Sequence, residues 1–431
     1  MTRRRVLVLH YFFPPLGGAG VPRILKFVKY LGEFGWDAAV VTSSLNVRWY
    51  GPRDEGRLAD VPASVLVTRA RELPSAPLRR KLFGPLYRLG FPQASAFIAW
   101  PDETVGWLPF ATLAADRVAE RWRPDVVMSS SYPYSGHIAA LALSRRRGIP
   151  WVADFRDPWT CNPQPETAPL ILRKLNRRAE QMMVERASRV IVVDPRLELV
   201  GLANDDPRRV VIPNGVDEAD FDGATSAGGS VTPERFRLTY VGSLYGTRDA
   251  APVFDAIRRL ARAGVIDPQR FEVSLIGNVW LGDHVLDLGV VPLRCTGYVE
   301  HGRAASEMRE ATALLFYAPA STWAPSGKIF EYLVSGRPIL SVARRDNLAY
   351  QLVDELDAGE AAEPSDPGGI ERAIGELYRR WLDGTLAISP DVRGRTLARF
   401  SRRRLTAQLA AVLDAVADGE PPRPRRARDA C

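Results

Sequence analysis

At 431 residues the chain is long enough for two or three domains with sizeable cores, and 46% hydrophobic with 25% charged residues is the composition of a soluble globular protein. A net charge of +8 is compatible with nucleic acid, an anionic membrane face or phosphorylated small molecules; the arginines are dispersed rather than packed into one arm, which disfavours nucleic acid. The three cysteines, Cys161, Cys295 and Cys431, lie far apart with no C-x-x-C pair, so there is neither a disulfide framework nor a zinc signature, as in a reducing compartment.

Thr2-Arg3-Arg4-Arg5 ahead of the apolar Val6–Phe13 imitates an export signal, but the run is short and Pro14-Pro15 ends it. Val6–His10 reads instead as a first buried strand. Pro14–Gly20 makes a glycine-rich turn. Pro22 takes a first-turn position, and Ile24, Phe27, Val28 and Leu31 recur at i, i+3, i+4 and i+7, an amphipathic helix that Gly35 closes. Asp37–Thr42 is the next strand. Strand, glycine loop, helix and strand open a Rossmann-like half, and the glycines allow close backbone approach to a ligand. The spacing is not G-x-G-x-x-G and no acidic residue closes the second strand, so a plain tight turn is more economical than a dinucleotide site.

Residues 46–110 show no regular pattern. Within them Leu78–Trp100 interleaves Arg79, Arg80, Lys81 and Arg88 with Leu82, Phe83, Tyr87, Phe91, Phe97 and Trp100, which suits an anionic membrane surface or a helical cap over the sheet. No segment has the roughly 18 uninterrupted apolar residues of a spanning helix. Asp125–Ser130 is a buried strand that enters the polar loop Ser129–His137, ahead of a helix over about 137–147. Trp151–Asp154 ends in Asp154-Phe155-Arg156-Asp157. Charges at the carboxyl end of a parallel strand lie where open α/β sheets bind ligands, or form an ion cluster that buttresses a loop. A charged helix over about 170–187 precedes strands at Arg189–Asp194 and Val210–Pro213. Gly223–Ser230 is small, polar and linker-like, and the hinge is placed there.

The pattern then restarts, with strands at Arg237–Val241, Phe271–Ile276, Leu293–Thr296 and Ala313–Tyr317, and helices at Ala250–Ala263 and from His301 to about 311. The fold class is therefore α/β: two Rossmann-like domains, 1–205 and 206–395, facing across a central cleft with ligands at the carboxyl ends of both sheets. The chain finishes with helices around 368–382 and 402–417; a C-terminal helix within 396–418 is assigned to pack back on the first domain, and 419–431 reads as a disordered basic tail. Pro325–Pro338, between strands Ala313–Tyr317 and Ile339–Val342, reads as loop, short helix and stop. Ser326 is the expected N-cap, Gly336 the left-handed stop, and Pro338 cannot continue the helix. Ile329, Phe330, Leu333 and Val334 form one face; Lys328, Glu331, Tyr332 and Ser335 fall opposite, with Lys328 and Glu331 adjacent at i,i+3. A helix N-terminus attracts phosphate, Lys328 adds a full charge, and a carboxylate at 331 can accept two sugar hydroxyls. The pattern equally describes an amphipathic helix with a surface Lys–Glu pair.

Pro213-Asn214-Gly215-Val216-Asp217, Tyr240-Val241-Gly242-Ser243-Leu244, Gly297-Tyr298-Val299 and Pro325–Pro338 stand in the order and approximate spacing of family 4 glycosyltransferases. Over most of its length the chain resembles that family. The resemblance implies the GT-B fold and transfer of a sugar, with retention at the anomeric carbon, from a UDP-, GDP- or dTDP-linked donor. The acceptor would be a hydroxyl of a glycan, lipid-linked sugar or small molecule, with no metal or other cofactor. It places Lys328 on the donor diphosphate, Glu331 on the ribose hydroxyls, and the Ser326 and Gly327 amides on a phosphate. Arg248 would be a second basic ligand, Gly242 and Ser243 would lie under the phosphates, Asn278 would stand on the donor side, and Val299 would face the base. Gly17 and Gly18 would form the loop that approaches diphosphate or acceptor. Arg156 stands where the family often has histidine and would clamp a phosphate or acceptor anion. His10, His137, Asp154 and Asp157 are the acceptor-side candidates; a hydrogen-bonded structural role is the alternative for both histidines.

The chain departs from the family where its first motif glutamate would fall, at Trp323, and Gly327 is inserted before the lysine. Members with a Pro-Ser-Lys opening, many of them polysaccharide- or glycan-building, resemble it better. Asp220-Phe221-Asp222 is an Asp-x-Asp, but it lies in the hinge and reads as loop polarity; His10, His137, His284 and His301 are too scattered for a metal site. Two other readings share these features: a nucleotide-sugar 2-epimerase of the same fold, and a non-catalytic sugar-nucleotide binder. The expected location is cytoplasmic, peripheral at the inner membrane face through 78–100.

Overall fold

The structure, a computed structural model, describes residues 3–44, 52–73, 99–161, 169–221, 234–246, 250–319 and 326–419. The chain forms two units: Met1–Pro213 together with Arg403–Cys431, and Asn214–Arg402.

In the first unit the described elements are β1 (Arg4–Leu9), α1 (Pro22–Leu31), β2 (Trp36–Ser43), β3 (Leu66–Ala70), α2 (Leu108–Trp122), β4 (Val126–Ser131), α3 (Ser135–Arg147), β5 (Trp151–Phe155), α4 (Leu170–Arg186), β6 (Arg189–Val192) and β7 (Arg209–Val211). The strands make one parallel sheet in the order β3-β2-β1-β4-β5-β6-β7. β4, β5 and β6 are buried along their whole length, as strands covered by helices on both faces must be. Pro22 sits in the first turn of α1, where the missing N–H costs nothing, and Gly35 turns the chain into β2 at φ 82°.

The second unit contains β8 (Phe236–Val241), β9 (Leu244–Tyr245), α5 (Ala251–Arg262), β10 (Phe271–Ile276), β11 (Val279–Trp280), β12 (Leu293–Cys295), α6 (His301–Glu310), β13 (Ala313–Tyr317), α7 (Lys328–Ser335), β14 (Ile339–Val342), α8 (Leu348–Glu355), β15 (Gly359–Ala362), α9 (Pro367–Leu382) and α10 (Asp391–Phe400). Its parallel sheet runs β12-β10-β8-β13-β14-β15, and β9 pairs with β11 in a small separate ribbon. One face packs Leu238, Val273 and Leu315 under α5 and α9; the other packs Val241, Leu314 and Ile339 under α6, α7 and α8. Each unit is thus doubly wound, with the order of strands reversing between β1 and β4 and between β8 and β13.

The last helix, α11 (Arg402–Ala417), packs in the first unit: Leu405, Leu409, Leu413 and Val416 join the core of Val6, Val8, Ile24, Phe27, Val40 and Met128. Arg4 donates to Asp414 at 2.9 Å, and the Trp36 indole N–H to the same carboxylate at 3.1 Å.

Several expectations are corrected. The change of unit falls at Pro213–Asn214, not at 205–206 and not at Gly223–Ser230, a stretch outside the described residues. The helix expected around 402–417 is α11, but the assigned segment 396–418 also takes in the end of a separate helix, α10, and residues up to 402 belong to the second unit. Residues 46–110 are not without regular structure: β3 adds a strand to the sheet, Glu55–Asp60 is a 3-10 helix, and α2 starts at Leu108. β3 escaped notice because it is an edge strand with mostly half-exposed residues and no apolar run.

Candidate functional site

In the second unit the loops after β8 and β13 flank the strand-order reversal, where doubly wound sheets bind ligands. α7 starts at Lys328. Its N-cap is Gly327 rather than the expected Ser326; the Ser326 hydroxyl accepts instead from the Lys328 amide at 3.4 Å. Lys328 Nζ donates to Glu331 Oε2 at 2.7 Å, and both side chains are partly buried. Burial pushes the Glu331 carboxyl up, but the Lys328 ammonium and His301 outweigh it, so its pKa lies below the ordinary carboxylate value. The site therefore holds an anion and a cation in one turn of helix.

Three residues of this site differ from their sequence reading. Tyr332 does not share the polar face: it is fully buried, and its hydroxyl accepts from the Val241 amide at 2.8 Å and donates to the Val241 carbonyl at 3.3 Å. The β8–β13 ladder is paired only at Leu238 and Thr239, so the tyrosine takes over the next amide, fixing α7 to the turn Gly242-Ser243. His301 and Asp220, both set aside from sequence, are partners: Nε2 and Oδ2 are 2.9 Å apart at the start of α6, beside Glu331. No local pattern signals that pairing, because the two residues are 81 apart in sequence.

The ends of β8 and β10 in the same sheet turn on closely packed glycines. Gly277 follows β10 at φ 129°, and a Cβ there would stand 2.1 Å from the Gly242 carbonyl oxygen. Gly277 also bridges Gly297, and the Gly242 amide donates to Ile276 at 2.9 Å. Asn278 holds the ribbon through its carbonyl, which accepts from the Leu244 amide at 3.0 Å. Val299 is partly buried against the α6–α7 core. Arg248, Trp323 and Pro325 lie outside the described residues.

In the first unit the candidates gather around the loops after β1, β4 and β5, but most of their polar atoms are occupied. Asp154 is fully buried and gripped by Arg23: Nε reaches Oδ2 at 2.9 Å and Nη2 reaches Oδ1 at 2.8 Å. The Ser130 hydroxyl donates to Oδ2 at 2.7 Å. Burial raises the Asp154 carboxyl, yet the Arg23 charge and these hydrogen bonds bring it below its ordinary value. Arg23 also donates to the carbonyls of Ile212 and Pro213 at 2.9 Å, so it fastens the last residues of the unit. Arg156 spends its guanidinium on carbonyls: Ser131, Tyr132 at 2.8 Å and Gly20 at 2.9 Å. The ion cluster after β5 is thus real, but its partner for Asp154 is Arg23, a residue of α1 with no sequence cue.

His10 is buried between the Ser130 carbonyl on Nδ1 and the Gly20 carbonyl on Nε2, each at 3.1 Å. Burial, then the Arg156 charge, lowers its pKa to about 4. His137 shares a 2.7 Å hydrogen bond with the Ser129 hydroxyl, which also accepts from the Trp151 indole at 2.8 Å; burial lowers its pKa to about 3. The Gly17 amide is used by the Pro52 carbonyl at 2.8 Å, whereas Gly18, at φ 88°, has open space where a Cβ would point. The N-terminus of α3 is already filled by Asp102, which accepts from the Ser135 amide at 2.7 Å and its hydroxyl at 2.9 Å. Tyr134 stacks on Trp159 with ring centroids 4.4 Å apart, and its hydroxyl donates to the Asp157 carbonyl at 3.4 Å.

Residues 17–215 match the model of the glycosyl transferase 4-like domain. Among solved structures, sucrose-phosphate synthase from Thermosynechococcus elongatus is 13% identical with a TM-score of 0.68, covering 97% of this chain and 100% of its own. The Anabaena protein HepE in complex with UDP is 15% identical with a TM-score of 0.61, covering 95% of this chain and 100% of its own. A putative UDP-N-acetylglucosamine 2-epimerase from Listeria monocytogenes is 10% identical with a TM-score of 0.55, covering 99% of this chain and 100% of its own. No curated protein sequence matches. The resemblance to family 4 glycosyltransferases and the GT-B fold, with two Rossmann-like sheets, are both borne out.

Proposed function

We propose that the protein is a glycosyltransferase that moves a sugar from a nucleotide-diphosphate donor to a hydroxyl acceptor, with retention and without a metal. The second unit is assigned to the donor and the first to the acceptor. The observation that carries the reading is the Lys328–Glu331 pair at the first turn of α7, above glycine backbone at the point where strand order reverses. A nucleotide-diphosphate sugar is already activated, so the remaining task is to stabilise the departing diphosphate. Lys328 and the positive end of the α7 dipole supply positive charge there.

Binding would exchange partners. Lys328 would leave Glu331 for a phosphate oxygen, and the Glu331 carboxylate would accept the two ribose hydroxyls in its place. Each charged group then keeps a partner through the exchange. Retention without a protein nucleophile fits a leaving phosphate that helps deprotonate the incoming hydroxyl. The UDP bound to HepE, a protein of the same fold, agrees with a nucleoside diphosphate ligand.

A thermal-shift screen against nucleoside diphosphates identifies the base, and adding candidate acceptors with the matching sugar nucleotide tests transfer. Release of nucleoside diphosphate only when acceptor is present supports the reading. Conversion of donor alone would make the protein an epimerase, and binding without turnover across the panel would make it a sugar-nucleotide binder.

A further inference from the structure

The outer side of α4 carries large apolar side chains that no part of the described chain covers: Leu170 is 74% exposed, Ile171 65%, Leu175 41% and Met182 42%. At about 100° per residue Ile171, Leu175 and Met182 fall within about 40° of one another, so they form a single stripe along the helix. Lys174, Arg178 and Arg186 are exposed around it, with one acidic residue, Glu185, among them; Arg177, also exposed, lies further round the helix. The opposite side is firmly seated, with Leu172, Ala179, Met183 and Val184 buried. Glu180, also buried, accepts from the Trp159 amide at 3.3 Å and from the Thr160 hydroxyl. Trp100 donates to Asn176 of the same helix at 3.0 Å.

We infer that α4 is a docking face for an anionic lipid bilayer. A rigid amphipathic helix with an apolar stripe and a cationic margin matches the interface, where the stripe enters the acyl boundary and the arginines meet headgroup phosphates. The charge selects this occupant over a second copy of the chain. Two such faces placed together would set Lys174, Arg178 and Arg186 against the same three cations, with only Glu185 on each side to offset them. The helix is not a membrane span: no described helix is long and apolar enough to cross a bilayer. This face lies on a different element from the basic and aromatic stretch 78–100, most of which is outside the described residues. The inference does not depend on the enzymatic reading.

The test is co-sedimentation of the full chain with phosphatidylcholine vesicles, with and without about one-third phosphatidylglycerol. Binding is expected to the anionic vesicles alone and to fall at least about tenfold between roughly 50 and 500 mM salt. Ile171→Ser with Leu175→Ser, and separately Lys174→Ser with Arg177→Ser and Arg178→Ser, should each weaken it at least about tenfold. Val290→Ser, at a 73% exposed position in the second unit, should leave it unchanged. All of these positions are exposed, so equal thermal melts confirm folding. Absence of binding at low salt, equal binding to neutral vesicles, or binding that survives both α4 variants overturns the inference. A lipid-free dimer that the Ile171/Leu175 variant dissolves would overturn it too, by giving the face to a second copy.

Discussion

Replacing Asp154 by asparagine separates a structural carboxylate from a chemical one. The substitution keeps the shape and removes the charge, leaving the Arg23 guanidinium, 1% exposed, with only the Ile212 and Pro213 carbonyls as strong acceptors. Stranding one partner of a buried pair costs about 3–5 kcal/mol. For a unit of roughly 240 residues, each kcal/mol moves the melting point by about 2–4 °C, so the first unit should melt about 6–20 °C lower by scanning calorimetry. Replacing both partners with apolar residues, Arg23→Met with Asp154→Leu, removes the stranded charge and should restore at least half of the loss. Because the folded pKa of Asp154 is depressed, its contribution is complete above about pH 4 and is lost only as pH falls through the lower folded value. An Asp154→Asn protein that melts within about 3 °C of the parent yet loses turnover would refute this reasoning and return Asp154 to the acceptor site.

Lys328→Ala should lower turnover at least about a hundredfold, measured as nucleoside diphosphate release, and near-normal rates would dismiss the assignment. Tyr332→Phe leaves the buried Val241 amide without its acceptor and should cost the second unit about 1–3 kcal/mol in urea titrations; no change would mean the amide finds another partner. Gly277→Ala should prevent the second unit from folding as it is, because the new Cβ meets the Gly242 carbonyl at 2.1 Å; a wild-type melt would show that the turn can move. His10 and His137 are held neutral down to about pH 4 and 3, whereas the unfolded chain protonates them near the ordinary histidine value of 6.5. Between those values the unfolded state binds more protons, so stability falls as pH falls. From pH 7 to 5 the first unit should lose about 2 kcal/mol for each histidine, and a flat profile in that window would contradict it.

The fold was legible where burial writes itself into composition. Strands covered on both faces, such as Val6–Leu9, Val126–Ser131 and Ala313–Tyr317, have apolar or small residues without interruption, and the glycines at 35, 148 and 336 mark helix ends in the left-handed region. Of the four edge strands in the two large sheets, β7 and β12 were still legible, whereas β3 and β15, each with a single buried residue, carry no such signal. The unit boundary was misplaced for a related reason. The small, polar Gly223–Ser230 looks like a linker, whereas the true change at Pro213–Asn214 is marked by nothing local. Arg23, 190 residues away in sequence, fixes it.

The candidate site divides along the same line. Lys328 and Glu331 could be paired from their spacing because three residues is less than one helical turn, and they do lie 2.7 Å apart. Tyr332 could not be placed, since its partner at Val241 is 91 residues away. Its burial turns an apparently polar face of α7 into an anchor and leaves Lys328 and Glu331 as the polar groups in that first turn. The His301–Asp220 pair then gains a physical role that neither residue shows alone. With Asp220 engaged, His301 stands next to Glu331 and helps hold its carboxylate in the charged form. A carboxylate that keeps its charge when Lys328 turns to a phosphate can remain an acceptor for two hydroxyls. The proposed exchange of partners at α7 would therefore rest on His301 of the neighbouring helix as well as on Lys328.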